Sequence, residues 1–255
     1  MINKVKKNII FISIFLVGVL LALPSCTKDH LNECFNGRGK TTTEKRGLYS
    51  FGNVSVQNNI GLILKQGDEF SISIRTGENI LPSIVTQIKD NTLFISNESV
   101  CLMFTDPWDI IEAELTLPDV DTLFIYSTGD VSTSGTFVSD SIFVKIEESP
   151  ADITLSFDVR YLEVNFLSGT ATVLISGTGD MGRFYVSAYG MLDSKGFNPL
   201  YTVINSNCTN NCYIGSGSRL LDAVITNVGN VYYVGDPVNL NSVITGSGRL
   251  IRLDQ

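Results

Sequence analysis

Two aspartates at equivalent positions of successive sequence repeats have the clearest potential for chemistry in this chain. Asp130 and Asp152 each lie between a small residue and an apolar one, and Glu147 and Glu148 fall between them. Stacked strands lie about 4.8 Å apart, so two such carboxylates repel unless a cation bridges them or one is protonated. The pair could hold Ca²⁺ or attack a glycosidic bond. Solvated turn carboxylates are the simpler interpretation, and we expect no cofactor, with Ca²⁺ as the alternative.

Other catalytic arrangements find little support in the sequence. The only histidine is His30, so Ser–His–Asp and Cys–His catalysis lack a base and a His-rich zinc site is excluded. Gly215-x-Gly217 and Gly246-x-Gly248 lack the following helix that a phosphate-binding loop requires, and we interpret both as turns. We therefore predict no catalytic and no metal-binding residues.

Five cysteines suit an oxidising compartment. Cys26 ends a secretory signal, and the other four allow three pairings. We expect the disulfides Cys34–Cys101 and Cys208–Cys212. The second pair requires a bend, because an extended strand would hold its Cα atoms about 13 Å apart. A metal or redox site at the Cys-x-x-x-Cys spacing is the alternative.

The N-terminus predicts export and lipidation. Three lysines precede an apolar run over residues 9–23, which is too short for a stable membrane span. Leu23-Pro24-Ser25-Cys26 resembles a bacterial lipobox, in which Cys26 becomes the acylated N-terminus. We predict a signal peptide over 1–25 and a lipidated tether over 26–47. The location is then the cell envelope, with the outer membrane favoured and the leaflet open.

Charge and aromatic residues indicate the kind of partner. Removing residues 1–25 with their three lysines leaves 15 basic against 26 acidic residues, a net charge of −11. An acidic chain is unsuited to nucleic acid, whose phosphates require a basic face. Exposed aromatic rings suit glycans. The predicted ligand surface consists of Asp130, Asp152, Trp108, Tyr189, Tyr232 and Tyr233.

A repeat of about 20 residues must position these side chains. Seven small–polar–apolar triplets recur 18 to 22 residues apart, and alternating strands precede them. The triplets begin at Gly129, Ala151, Ala171, Gly190, Asn211, Gly229 and Gly248. Such a repeat predicts a parallel β-solenoid, since each unit buries its apolar face against its neighbours. We assign the β-helix to 119–255 and an N-terminal β cap to 48–118, within one continuous domain. An antiparallel sandwich is the competing fold.

Several segments between residues 48 and 253 resemble the auto-transporter adhesin head, GIN domain family of bacterial envelope proteins. The resemblance rests on Gly61–Gly67, the Leu117-Pro118 break, Ser176–Asp180, Tyr233–Pro237 and Thr245–Leu250. It implies a right-handed parallel β-helix and an adhesin-like surface role, and it supplies no catalytic residues.

These observations predict a cell-envelope lipoprotein with a non-catalytic, adhesin-like binding surface on a β-solenoid. Its partners would be a glycan or a surface protein, with the membrane contacted through the lipid anchor and no nucleic acid bound. The alternatives are a polysaccharide lyase or hydrolase and a purely structural envelope scaffold.

Overall fold

Apolar and polar residues alternate along almost every strand of this chain, which places one set of side chains inside and the other outside. The computed structural model describes residues 37–99 and 111–253. The strands in these ranges are β1 (Thr41–Gly47), β2 (Asn53–Asn58), β3 (Ile60–Gln66), β4 (Ser71–Gly77), β5 (Ile84–Lys89), β6 (Thr92–Asn97), β7 (Ile111–Leu117), β8 (Thr122–Ser127), β9 (Val131–Thr133), β10 (Phe137–Ile146), β11 (Asp152–Phe166), β12 (Thr172–Val186), β13 (Met191–Ser206), β14 (Cys212–Gly215), β15 (Leu220–Ile225), β16 (Val231–Val234), β17 (Asn239–Ile244) and β18 (Leu250–Arg252). A single 3₁₀ turn, Leu81–Ser83, interrupts them.

The strands stack in parallel register into a β-solenoid of about seven turns, which confirms the predicted fold class. In the middle of the stack, β11, β12 and β13 are 15 to 16 residues long and stay paired around the corners, with one register shift between Leu174 and Ser176 of β12. Each coil therefore presents successive faces to solvent. No helix within the described residues has the length and apolar character needed to cross a membrane.

The coils form three ladders. Face A contains β6, β2, β8 and β10 in that order, then the later halves of β11, β12 and β13, and finally β15 and β17. Face B contains β7, β3 and β9, the opening residues of β11, β12 and β13, and then β14, β16 and β18. Face C is short and joins residues 137–139, 157–159, 177–179 and 197–199.

Columns of inward side chains fill the solenoid. On face A, Val144, Val164, Phe184 and Ile204 are paired neighbours in consecutive coils, and all are buried. On face B, the triplets supply Val131, Ile153, Val173, Leu192, Cys212 and Val231. The triplet predicted to begin at Asn211 is therefore out of phase by one residue: Cys212 points inward and Tyr213 outward. The small Cys212 side chain fits the packed column where a tyrosine ring would not.

The spacing of the small triplet residues reflects close approach of successive coils. A Cβ atom at Gly190 would overlap the backbone oxygen of Ala171, and one at Gly229 would overlap that of Asn210. Neither glycine has a positive φ in this structure. Glycine is required here because the backbone of one coil touches the next, rather than for an unusual turn.

Two predicted domain boundaries need correction. Residues 41–47, assigned to the tether, form β1 and pair antiparallel with β4. The solenoid also begins before residue 119. The coil made by β2 and β3 lies between the coil of β6 and β7 and the coil of β8 and β9. The chain thus leaves the stack after β3, builds its N-terminal end, and returns. Antiparallel β1, β4 and β5 close that end, as a cap should.

Candidate binding surface

Asp130 and Asp152 lie in adjacent coils, as the repeat predicts. The backbone N–H of Asp152 donates to Asp130 Oδ1 at 3.1 Å, and both side chains are exposed. The same bond recurs further along the corner, where Asn230 N–H donates to Asn211 Oδ1 and Arg249 N–H to Asn230 Oδ1. The Asp130 carboxylate therefore links one coil to the next by accepting a hydrogen bond from an uncharged backbone N–H group. Within residues 37–99 and 111–253, no group of three or more potential ligands is arranged to hold a metal ion.

The predicted tyrosines occupy three different environments. Tyr189 is 67% exposed at a corner. Tyr232 stacks on Tyr213 with ring centroids 5.1 Å apart, and Lys195 Nζ lies 4.8 Å from the Tyr213 ring centroid. The ring faces that could stack on a sugar are thus partly used within the protein. Tyr233 packs against the core. Of the three, only Tyr189 remains a freely exposed ring. Trp108, Cys26, Cys34 and Cys101 lie outside the described residues.

Cys208 and Cys212 meet across the corner between β13 and β14, where the sequence required a bend. Both are buried thiols, and their Sγ atoms are 3.3 Å apart. The hydrogen bond from Cys212 lowers the pKa of the Cys208 thiol, while that bond and burial raise the pKa of Cys212. The disulfide between them stays a prediction, and the thiols are placed where it could form.

Face A carries an aromatic surface that the sequence did not reveal as a cluster, although Tyr185 and Tyr201 were candidates for stacking on sugars. Its outward positions hold Phe124, Tyr126, Phe143, Tyr161, Tyr185 and Tyr201, here called the aromatic face. Phe124 and Tyr126 have parallel rings 6.5 Å apart, and Phe143 and Tyr161 lie 5.6 Å apart across neighbouring coils. Phe143 is 39% exposed and Tyr185 37%.

Fixed polar groups lie among these rings. The Tyr161 hydroxyl donates to Glu163 Oε2 at 2.6 Å, and Asn165 Nδ2 donates to Glu163 Oε1 at 2.9 Å. Arg183 Nη1 lies 4.0 Å from Glu163 Oε2. Burial raises the pKa of Glu163, but these hydrogen bonds and the Arg183 charge outweigh it and hold that pKa below its ordinary value. Burial, followed by the bond to Glu163, raises the pKa of Tyr161. Glu163 therefore stays ionised and accepts hydrogen bonds at neutral pH.

An open groove lies at the C-terminal end of the aromatic face. It encloses about 570 Å³, within the size range of small-ligand sites. Its walls combine one aromatic ring, apolar side chains, a guanidinium and two amides. The lining residues are Tyr201, Arg219, Leu220, Val238, Asn239 and Asn241.

A sequence signal for the aromatic face did exist. Phe124 and Tyr126 alternate with Leu123 and Ile125, so inward aliphatic residues imply outward rings. What the sequence could not supply is the register that brings residues about 20 positions apart into contact.

A family model described as "Putative auto-transporter adhesin, head GIN domain" matches residues 50–237. The chain belongs to this family, as the resemblance indicated. Several solved structures share its fold. A protein of Bacteroides fragilis described as a "putative adhesin" is 17% identical, with a TM-score of 0.77, over 85% of this chain and 99% of that one. A "putative lipid binding protein" of Parabacteroides distasonis is 18% identical, with a TM-score of 0.64, over 85% and 98%. No curated protein has a significant match.

Proposed function

We propose that this protein is a non-catalytic, adhesin-like lipoprotein of the cell envelope that binds glycans through its aromatic face. The observation that carries the proposal is the clustering of outward rings on face A, together with the ordered Tyr161–Glu163–Asn165 hydrogen bonds. Contiguous apolar patches on a protein surface mark interaction sites, whereas isolated exposed rings do not. The adhesin description of the family supports the same role.

Glycans fit this surface on chemical grounds. The apolar face of a sugar ring packs on aromatic side chains, while its hydroxyls need both donors and acceptors. Glu163 supplies acceptors, and Arg183 and Asn165 supply donors, so both kinds of group lie beside Tyr161. Because β-strands hold these groups, little conformational entropy is lost on binding.

The ionisation of Glu163 makes it unsuited to be the general acid of a glycosidase. A glycosidase needs a carboxylic acid whose pKa is raised so that it can protonate the leaving oxygen. The hydrogen bonds to Glu163 lower its pKa instead, which suits an acceptor for sugar hydroxyls.

The binding test is a glycan array probed with the soluble chain 27–255, which contains every described residue. We expect Phe143→Ala combined with Tyr161→Ala to weaken binding about tenfold or more, a loss of about 1.4 kcal/mol, because both stacking rings are removed. Tyr49→Ala is the control, because this ring is 87% exposed outside face A. Equal affinity of the double variant and the control would contradict the assignment of the aromatic face. Reducing-sugar release would favour an enzyme.

The lipid anchor is tested separately by Cys26→Ala. Lipobox-like residues end at Cys26, and attached acyl chains bind membranes in proportion to their buried methylenes. We expect metabolic labelling with a fatty acid to mark the wild-type chain alone, and the variant to accumulate as an unlipidated precursor. Equal labelling of both proteins would show that Cys26 is not the acylated residue.

A further inference from the structure

The last coil of the solenoid leaves its inward apolar residues uncovered. Leu240 and Ile244 of β17 pair with Leu221 and Ile225 of β15 and continue their columns. Leu221 and Ile225 are fully buried, whereas Leu240 is 45% exposed and Ile244 43%. On face B, the column continues from Val231 to Leu250, which is half-buried.

The same end presents unpaired strand edges. Among the described strands, β17 pairs with β15 alone and β18 with β16 alone. One edge of each is therefore open to another strand. Natural proteins usually protect such edges with charges, proline or a covering segment. The six residues of β17, Asn239 to Ile244, include neither a charge nor a proline.

The opposite end of the solenoid is protected. There β4 pairs antiparallel with β7 and β1 pairs antiparallel with β4, and Ile72 and Ile74 of β4 are buried. The outermost strand β1 also carries Glu44, Lys45 and Arg46. Within residues 37–99 and 111–253, the C-terminal end therefore lacks the kind of cap that covers the N-terminal end.

We propose that this end, formed by β17 and β18 and here called the open tip, binds the open tip of a second copy of this chain. A two-fold axis would pair β17 with its symmetry mate in antiparallel fashion and cover both sets of inward residues, which makes an isologous contact. An identical tip offers matching strand edges and matching apolar columns.

Electrostatics favour this end for self-association. The whole chain carries a net charge of −8, so two copies repel over most of their surfaces. From Pro237 to Arg252 the charged residues are Arg249 and Arg252, and Arg252 forms an ion pair with Asp236 at 2.8 Å. The open tip thus has no acidic side chain within this stretch, and contact there avoids the general repulsion.

The position of the tip suggests a use. The pairing end lies at the far end of the stack from β1, the first of the described strands. If Cys26 anchors the chain as proposed, the anchor is joined in sequence to the β1 end of the solenoid, opposite to the open tip. Two copies on facing surfaces would then pair tip to tip. The self-association itself does not depend on glycan binding or on the anchor.

Sedimentation equilibrium of the soluble chain 27–255 tests the proposal. We expect a concentration-dependent dimer, and Leu240→Lys combined with Ile244→Lys to weaken its Kd about 100-fold or more, because four ammonium groups would meet at the contact. The matched control is Leu174→Lys combined with Val138→Lys, whose parent side chains are 40% and 54% exposed away from the tip. The control should dimerise like the wild type.

Hydrogen exchange locates the contact independently of any variant. In the wild type, amide protection of residues 239–244 should rise with protein concentration. A wild-type chain that stays monomeric at all concentrations overturns the proposal, as does a dimer that survives the tip variant. Glycan binding is measured on the monomeric tip variant, so failure of the glycan proposal and failure of pairing are scored separately.

Discussion

Val164→Asp should lower the free energy of unfolding by about 4 kcal/mol, among the largest effects that a single substitution in this chain can have. Val164 is fully buried in the inward column of face A, between Val144 and Phe184. A carboxylate there would lose its hydration without gaining a cation or donor in exchange. The column is continuous, so the charge would disturb the coils on both sides.

Equilibrium unfolding in urea measures this effect. Val131→Asp, in the inward column of face B, should behave in the same way. Val228→Asp is the control, because Val228 is 55% exposed at a corner, and we expect a change within about 0.5 kcal/mol. If both buried variants unfold at the wild-type urea midpoint, these valines do not face the core.

The second large effect concerns Cys208 and Cys212. In protein exported to an oxidising compartment, we expect the two thiols to form a disulfide. The lowered pKa of Cys208 favours its thiolate, which attacks a sulfur of an oxidised thiol–disulfide oxidoreductase. The Cys212 thiol then attacks Cys208 Sγ in the mixed disulfide, which forms the Cys208–Cys212 bond and expels the thiol of the oxidoreductase. Two electrons pass to the oxidoreductase, and both thiol protons are released.

Reduction of this bond should cost about 2 kcal/mol of stability, because the closed loop is short. Peptide mapping after alkylation of the unfolded chain checks the bond, since residues 208 and 212 should be protected until a reductant is added. The control is Cys208→Ser combined with Cys212→Ala. In this variant, adding reductant should no longer lower the stability through residues 208 and 212. Full alkylation of both cysteines in exported wild-type protein would contradict the prediction.

The sequence established the kind of fold because the patterns that indicate it are short-range. Alternating residues such as Ile142 and Val144 mark which side chains of a strand turn inward, and the recurring small residues mark where coils touch. The single histidine restricted the catalytic possibilities in the same direct way. Composition and short-range pattern are properties of the chain before it folds.

The order and phase of the coils depended on tertiary structure. The pattern placed Tyr213 inward, but packing put Cys212 in the column and stacked Tyr213 on Tyr232. Insertion of the β2–β3 coil between coils formed later in the chain likewise reflects pairing between distant strands. Such pairing has no short-range signature.

The candidate surface shows the same division. Alternation with the buried Ile142 and Val144 makes Phe143 face outward. Only the stacked register placed the rings of Phe143 and Tyr161 5.6 Å apart and gave Asp130 the backbone N–H of Asp152 as a partner. Alternation within a strand is fixed by backbone geometry, whereas neighbours across strands are chosen by how the whole solenoid packs.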